Sequence, residues 1–113
     1  MKKDRMVFAI HPDGNISVKR QQKSPKLAQL QEAVGGYIQE IPHFTRFEHN
    51  GVSYTRGVAY CNEHGRRKEL PFNEAASKAW KVCLGNAPLW YEPHILGTVV
   101  FVTTAKGGED ERK

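Results

Sequence analysis

The sequence predicts an α+β fold, a two-layer sandwich in which a mainly antiparallel sheet carries two helices on one face. Three observations lead there. Turn-forming pairs, Asp13-Gly14 and Asn50-Gly51, separate stretches with strand-like patterning, which is the mark of hairpins. Two segments place apolar residues at helical spacing between recognisable start and stop signals. A β-branched run, residues 95–104, has the character of a central strand. Helices spaced among antiparallel strands bury their apolar stripes by packing on the sheet.

The elements follow in order. Met6 to Ile10 is rich in strand formers, and His11-Pro12-Asp13-Gly14-Asn15 is turn chemistry. A hairpin of 6–10 with 15–19 is therefore expected. The stretch KRQQKSPK (19–26) holds four basic residues and no acid, and it leads into a helix over 25–34. Ser24 is the expected cap, Pro25 the first helical position, and Gly35-Gly36 the stop. Lys26 then sits where the helix macrodipole disfavours a cation, so the basic cluster answers to something other than helix stability. Tyr37 to Ile41 alternates as a strand that Pro42 ends, and His43 to His49 continues as extended chain to Asn50-Gly51. Val52 to Cys61 reads as a strand with a bulge at Gly57. Asn62-Glu63-His64-Gly65 is the next turn, with Arg66 to Leu70 as a short return strand. Asn73 caps a second helix with Ala76, Ala79, Trp80, Cys83 and Leu84 on one face, ended by Gly85-Asn86. Residues 87–94 form an aromatic, proline-punctuated connection to the last strand.

Length and composition bound the rest. The 113 residues make one domain, taken as 1–104, followed by a charged tail, 105–113, expected to be disordered. No apolar run approaches the ~20 residues that span a bilayer. VFAI near the N-terminus is too short for a signal-peptide core, so a cytoplasmic protein without membrane contact is expected. Cys61 and Cys83 are then reduced thiols rather than a disulfide framework. A net charge of +5 favours anionic partners.

The segments VGGYIQEI (34–41), NEHGRRKELPFN (62–73) and ILGTVVFV (95–102) together resemble a small uncharacterised domain family of phages and bacterial mobile elements. Its pattern runs VGG-hydrophobic-E, NEEGK…LP-N and I-x-G-hydrophobic. The likeness spans about residues 6–103. Three departures stand out: His64 replaces a second Glu, Arg67-Lys68 are unusually basic, and 43–56 is longer and more polar. The resemblance supplies no catalytic residues. It implies a phage-like accessory protein acting by binding, including inhibition of host defence, within the host cytoplasm.

The residues themselves offer several chemistries. Cys61-x-x-His64 has the spacing of half a zinc site, with Cys83 and His94 as further ligands. A buried thiol on the apolar face of the second helix explains Cys83 more simply. A Cys61–His64 pair suits a small hydrolase, yet nothing marks an orienting third group. Gly35-Gly36 stands in helix–loop–strand order, the reverse of a phosphate-binding loop. No metal or cofactor is implied.

The basic and aromatic residues carry more. Arg66, Arg67 and Lys68 leave one turn with His64 at its tip; Arg56 and Tyr54 lie on the expected partner strand, and Arg46 precedes Asn50-Gly51. With Trp90 and Tyr91 on the aromatic connection, they form a candidate ligand site, guanidinium for phosphate and ring faces for a base. Solvated charges on exposed strands account for the same cations. The leading expectation is a non-catalytic protein that binds and sequesters an anionic small molecule such as a nucleotide immune signal. The alternatives are binding to nucleic acid or a host nucleic-acid-processing protein, and a Cys/His hydrolase. A homo-oligomer stays open.

Overall fold

The computed structural model describes residues 4–85 and 93–104. Its elements are β1 (Arg5–Ile10), β2 (Ile16–Gln21), α1 (Leu27–Val34), β3 (Ile38–Ile41), β4 (Phe47–His49), β5 (Val52–Tyr54), β6 (Val58–Asn62), α2 (Glu74–Leu84) and β7 (Val99–Thr104). Five strands form an antiparallel sheet in the order β2-β1-β7-β6-β3, and β4-β5 form a separate two-stranded ribbon. The α+β class with a mainly antiparallel sheet is thus what the chain adopts, and β7 is its central strand.

Alternation along β1 and β7 sorts the core into two sets. Met6, Phe8, Ile10, Val99 and Phe101 pack with Ala76 of α2 and with Phe44 and Phe47. Val7 and Val100 pack with Leu30 and Val34 of α1. Successive strand residues face opposite sides of a sheet, so the helices lie against opposite faces rather than one. The amphipathic stripes were legible in the sequence. Which face each covers is decided by the packing: α1 lies against β6, β7 and β3, and Ala76 of α2 lies in the other core set.

Local chemistry explains the boundaries. Asn50 and Gly51, with φ of 53° and 80°, form the tight β4-β5 turn that the Asn-Gly pair predicts. Gly35 ends α1 at φ 82°, its N–H donating to the Gln31 carbonyl. Helix α1 begins two residues later than expected. Lys26 is its N-cap residue with no side-chain cap, and Ser24 accepts a hydrogen bond from Arg5 Nε instead (3.1 Å). Asn73 caps α2 as predicted, accepting from the Ala76 N–H at 3.0 Å.

The stretch read as one strand from Val52 to Cys61 is split between the ribbon and the main sheet. The crossing is at Arg56-Gly57, where Arg56 takes φ 58° and a Cβ on Gly57 would overlap the Phe101 ring. The return strand at 66–70 does not form. Strand β6 is already paired with β3 on one edge and β7 on the other, so no edge is left for it. Residues 63–69 instead wind through successive turns, with Lys68 N–H donating to His64 O (2.9 Å) and Leu70 N–H to Gly65 O (3.0 Å). The last strand is shorter than 95–104. Gly97 at φ 83° breaks it, leaving Leu96 bridged to Phe72 and β7 starting at Val99. Among the described residues no helix is long and apolar enough to cross a membrane. The aromatic pair Trp90-Tyr91 and the tail 105–113 lie outside the described residues.

Candidate functional site

The turn-rich segment 62–69 braces the end of α1. Asn62 is buried, donates through Nδ2 to the Val34 carbonyl (3.0 Å), and accepts from the His64 N–H (2.8 Å). Lys68 Nζ reaches the Gly35 carbonyl at 3.3 Å, a cation placed on the negative end of the helix. His64 is half-buried, its ring edge-on to Tyr37 with centroids 6.3 Å apart, not at an exposed tip. Two of the residues expected to meet a ligand therefore have local structural partners. Arg66 and Arg67 remain exposed.

The other expected site residues are dispersed. Tyr54 packs on the core, its ring 4.9 Å from Phe8. Arg46 donates to the Val82 carbonyl near the end of α2 (3.3 Å) and lines a cleft of about 370 Å³ between α2 and the β4-β5 ribbon, with Glu48 and Lys78. Arg66 lines a groove of about 220 Å³ with Glu40, Glu63, Cys61, Trp80 and His94. Two carboxylate residues beside one arginine make this groove a poor receptor for an anion. Burial pushes the Cys61 thiol up, which opposes the thiolate a nucleophile needs. Cys83 donates its S–H to the Arg46 carbonyl (3.2 Å), and no group of three or more His, Cys, Asp or Glu residues among those described is placed to hold a metal.

Arg56 falls elsewhere. It lines a cleft of about 280 Å³ on the α1 side of the sheet, together with Arg5, Tyr60, Ser24, Pro25 and Thr104. Leu30, Val58 and Val102 give this cleft an apolar floor. The strand register builds it: Arg5 is paired with Thr104 on β7, and Val102 with Val58 on β6. Arg5 and Tyr60 thus emerge on one face from strands that flank β7. Among the described residues no carboxylate lines the cleft. The Tyr60 phenol is pushed up, first by burial and then by Glu40, so it stays an O–H donor at neutral pH. Glu40, opposite Tyr60 in the β3-β6 register, lines the neighbouring groove.

Of the residues lining this cleft, the sequence reading names Arg56 as a ligand residue and Ser24 only as a helix cap. It missed Arg5. The available signal was alternation, since Arg5 shares a strand face with Val7, but only the sheet order reveals what lies across β7 from it.

With this geometry in view, comparison with known proteins bears on the whole chain. The sequence matches the family described as Domain of unknown function (DUF3846) over residues 1–113. The chain belongs to the DUF3846 family. No curated protein and no solved structure matches this DUF3846 chain. The description of the family as a domain of unknown function is in keeping with the resemblance to an uncharacterised family seen in the three sequence motifs.

Proposed function

We propose that this domain binds a small phosphate-bearing ligand of nucleotide type in the α1-face cleft and sequesters it without chemical conversion. One observation carries the reading. Arg5 of β1 and Arg56 of the crossing between β5 and β6 line one cleft in which no described residue is a carboxylate, beside a tyrosine ring and an apolar floor. Guanidinium forks suit phosphate oxygens, and apolar and aromatic walls suit a base. The volume lies near the lower end for small-molecule pockets, about 300 Å³ and upward, which fits one nucleotide rather than a large cofactor. Among the described residues the cleft holds Arg, Tyr, Ser and Thr side chains but no His, Cys, Asp or Glu for general base or nucleophile work. This favours binding over catalysis at that place.

A role for a phage or mobile element, withholding a nucleotide signal from a host defence system, extends the proposal. That extension rests on the motifs at 34–41, 62–73 and 95–102 and on nothing in the cleft itself.

Titration calorimetry with adenosine and guanosine nucleotides tests the core of the reading. Binding is expected for the wild type and for Arg66→Ala, with at least a tenfold loss for Arg56→Gly. Glycine accepts the left-handed backbone at position 56, so that variant removes the guanidinium while relieving strain. Recovery of unchanged nucleotide after long incubation is expected; hydrolysed product, or equal affinity in Arg56→Gly, defeats the proposal.

A further inference from the structure

The five-stranded sheet has two edges, and β2 is the longer. It stands first in the strand order and pairs only with β1. At the other edge β3 has four residues, carries Glu40 and is followed by Pro42. The β1-β2 register shows which backbone groups of β2 face outward. His11 N–H donates to the Asn15 carbonyl (2.9 Å), so these two residues close the hairpin as a hydrogen-bonded pair. Bonded and non-bonded pairs alternate along an antiparallel ladder. Ser17, Lys19 and Gln21 therefore bond to β1, and Ile16, Val18 and Arg20 turn their N–H and C=O groups away from it. Each residue brings one donor and one acceptor to the edge, and no strand among the described residues meets them.

Side chains give that edge a definite character. Ser17, Val18, Lys19 and Arg20 are all exposed. Val18, 44 % exposed, shares a face with Ile16 and Arg20, while Lys19 lies on the opposite face with Ser17 and Gln21. Segment 16–26 holds Lys19, Arg20, Lys23 and Lys26 and no acid, and Arg20 meets Asp4 at 3.4 Å. Proline and bulges, which blunt many edges, are absent from β2, so charge is what guards it. Pairing with a second copy would set Lys19 and Arg20 of both chains on two short strands. An acidic strand turns the same charges into attraction.

We propose that β2 docks an acidic, extended segment of a partner protein, which joins the sheet as an added antiparallel strand. Recognition has two parts. Main-chain bonds at Ile16, Val18 and Arg20 hold the segment, and the side chains of β2 select it. Acids belong opposite Arg20 and Lys19, and apolar residues opposite Val18 and Ile16 with an unrestricted position between them. Along the partner chain this order is acid-acid-apolar-x-apolar. No β2 residue lines the α1-face cleft, so the docking edge is independent of nucleotide binding there.

Fluorescence polarisation of the full chain with a labelled peptide, Thr-Glu-Glu-Val-Thr-Val, tests this. Saturable binding is expected, with a loss of about tenfold or more when Lys-Lys replaces Glu-Glu in the peptide. Val18→Pro is expected to weaken binding by about tenfold or more, because proline removes an outward donor without costing a β1-β2 bond. Far-ultraviolet circular dichroism confirms that the variant is folded. N-methylation of the peptide's first valine, which blocks its bond to the Val18 carbonyl, repeats the test on the unaltered chain and should cause a similar loss. The double variant Lys19→Glu/Arg20→Glu is expected to prefer the lysine peptide. No binding of the acidic peptide overturns the proposal, and so does binding that neither proline nor N-methylation weakens. Equal affinity for the acidic and basic peptides overturns the choice of an acidic partner. A dimer in sedimentation that Val18→Pro dissolves assigns the edge to a second copy and overturns the proposal as well.

Discussion

Asn73 offers the sharpest test of how the site-bearing sheet is held to α2. The residue is fully buried and its side chain makes three hydrogen bonds: Oδ1 accepts from the Ala76 N–H (3.0 Å), and Nδ2 donates to the Ile10 and Gly97 carbonyls (2.8 Å each). Replacement by alanine removes a helix cap, which costs about 1 kcal/mol. It also strands two buried carbonyls at about 1–2.5 kcal/mol each. The sum is roughly 3–6 kcal/mol, a large part of the ~5–15 kcal/mol that holds a domain together. At about 4 °C per kcal/mol, Tm is expected to fall by roughly 12–24 °C. Urea and thermal unfolding measure this directly. Asn73→Asp separates the two contributions, because a carboxylate keeps the cap but faces two carbonyl oxygens with no donor. It is expected to be at least as damaging as alanine at neutral pH and milder near pH 4, where a protonated carboxyl can donate one bond. If Asn73→Asp is as stable as wild type at pH 7, the cap alone matters and the reasoning about the two carbonyls is refuted.

Other consequences follow from single contacts. Gly57→Ala places a methyl group against the fully buried Phe101 ring and is expected to cost about 1–3 kcal/mol in denaturant unfolding; a loss under ~0.5 kcal/mol would show that the ring yields freely. Asn62→Ala, which strands the Val34 carbonyl and the His64 N–H, is expected to cost about 2–3 kcal/mol, whereas Lys68→Ala removes an exposed helix-end cation worth ~0.3–1 kcal/mol. Equal losses in the two variants would count against the bracing role assigned to Asn62. Burial raises the Cys61 thiol, so the folded chain holds that proton more tightly than the unfolded one. Its contribution is intact below the ordinary thiol value and declines as pH climbs above it. Cys61→Ala should flatten that alkaline decline, and in a Cys83→Ser background native protein should react with iodoacetamide more slowly than unfolded protein at the same pH. Native labelling as fast as that of a free thiol at pH 7 would contradict the assignment.

Much of the fold was legible because it is local. Asp13-Gly14 and Asn50-Gly51 mark turns, Gly35 stops α1, and Asn73 starts α2, each through backbone conformations and hydrogen bonds reaching only a few residues. The start of α1 was misread because Ser24, a good cap by type, has its hydroxyl taken by Arg5, a residue distant in sequence. The same limit applied to Arg66, Arg67 and Lys68. Their residue types allow a strand, but a strand needs a free edge, and both edges of β6 are taken.

By itself, then, the sequence determined the α+β class, most of the turns, both helices and the chain's positive charge. Tertiary structure alone decided where that charge gathers. Tyr54 went to the core beside Phe8, Lys68 to the end of α1, and Arg66 to a groove it shares with Glu40 and Glu63. Arg56 meets Arg5 only because β7 is inserted between β1 and β6, bringing distant segments onto one face. Turn and cap signals are written in neighbouring residues, whereas a binding cleft depends on which strands lie side by side, and that is set by burial of the whole chain at once.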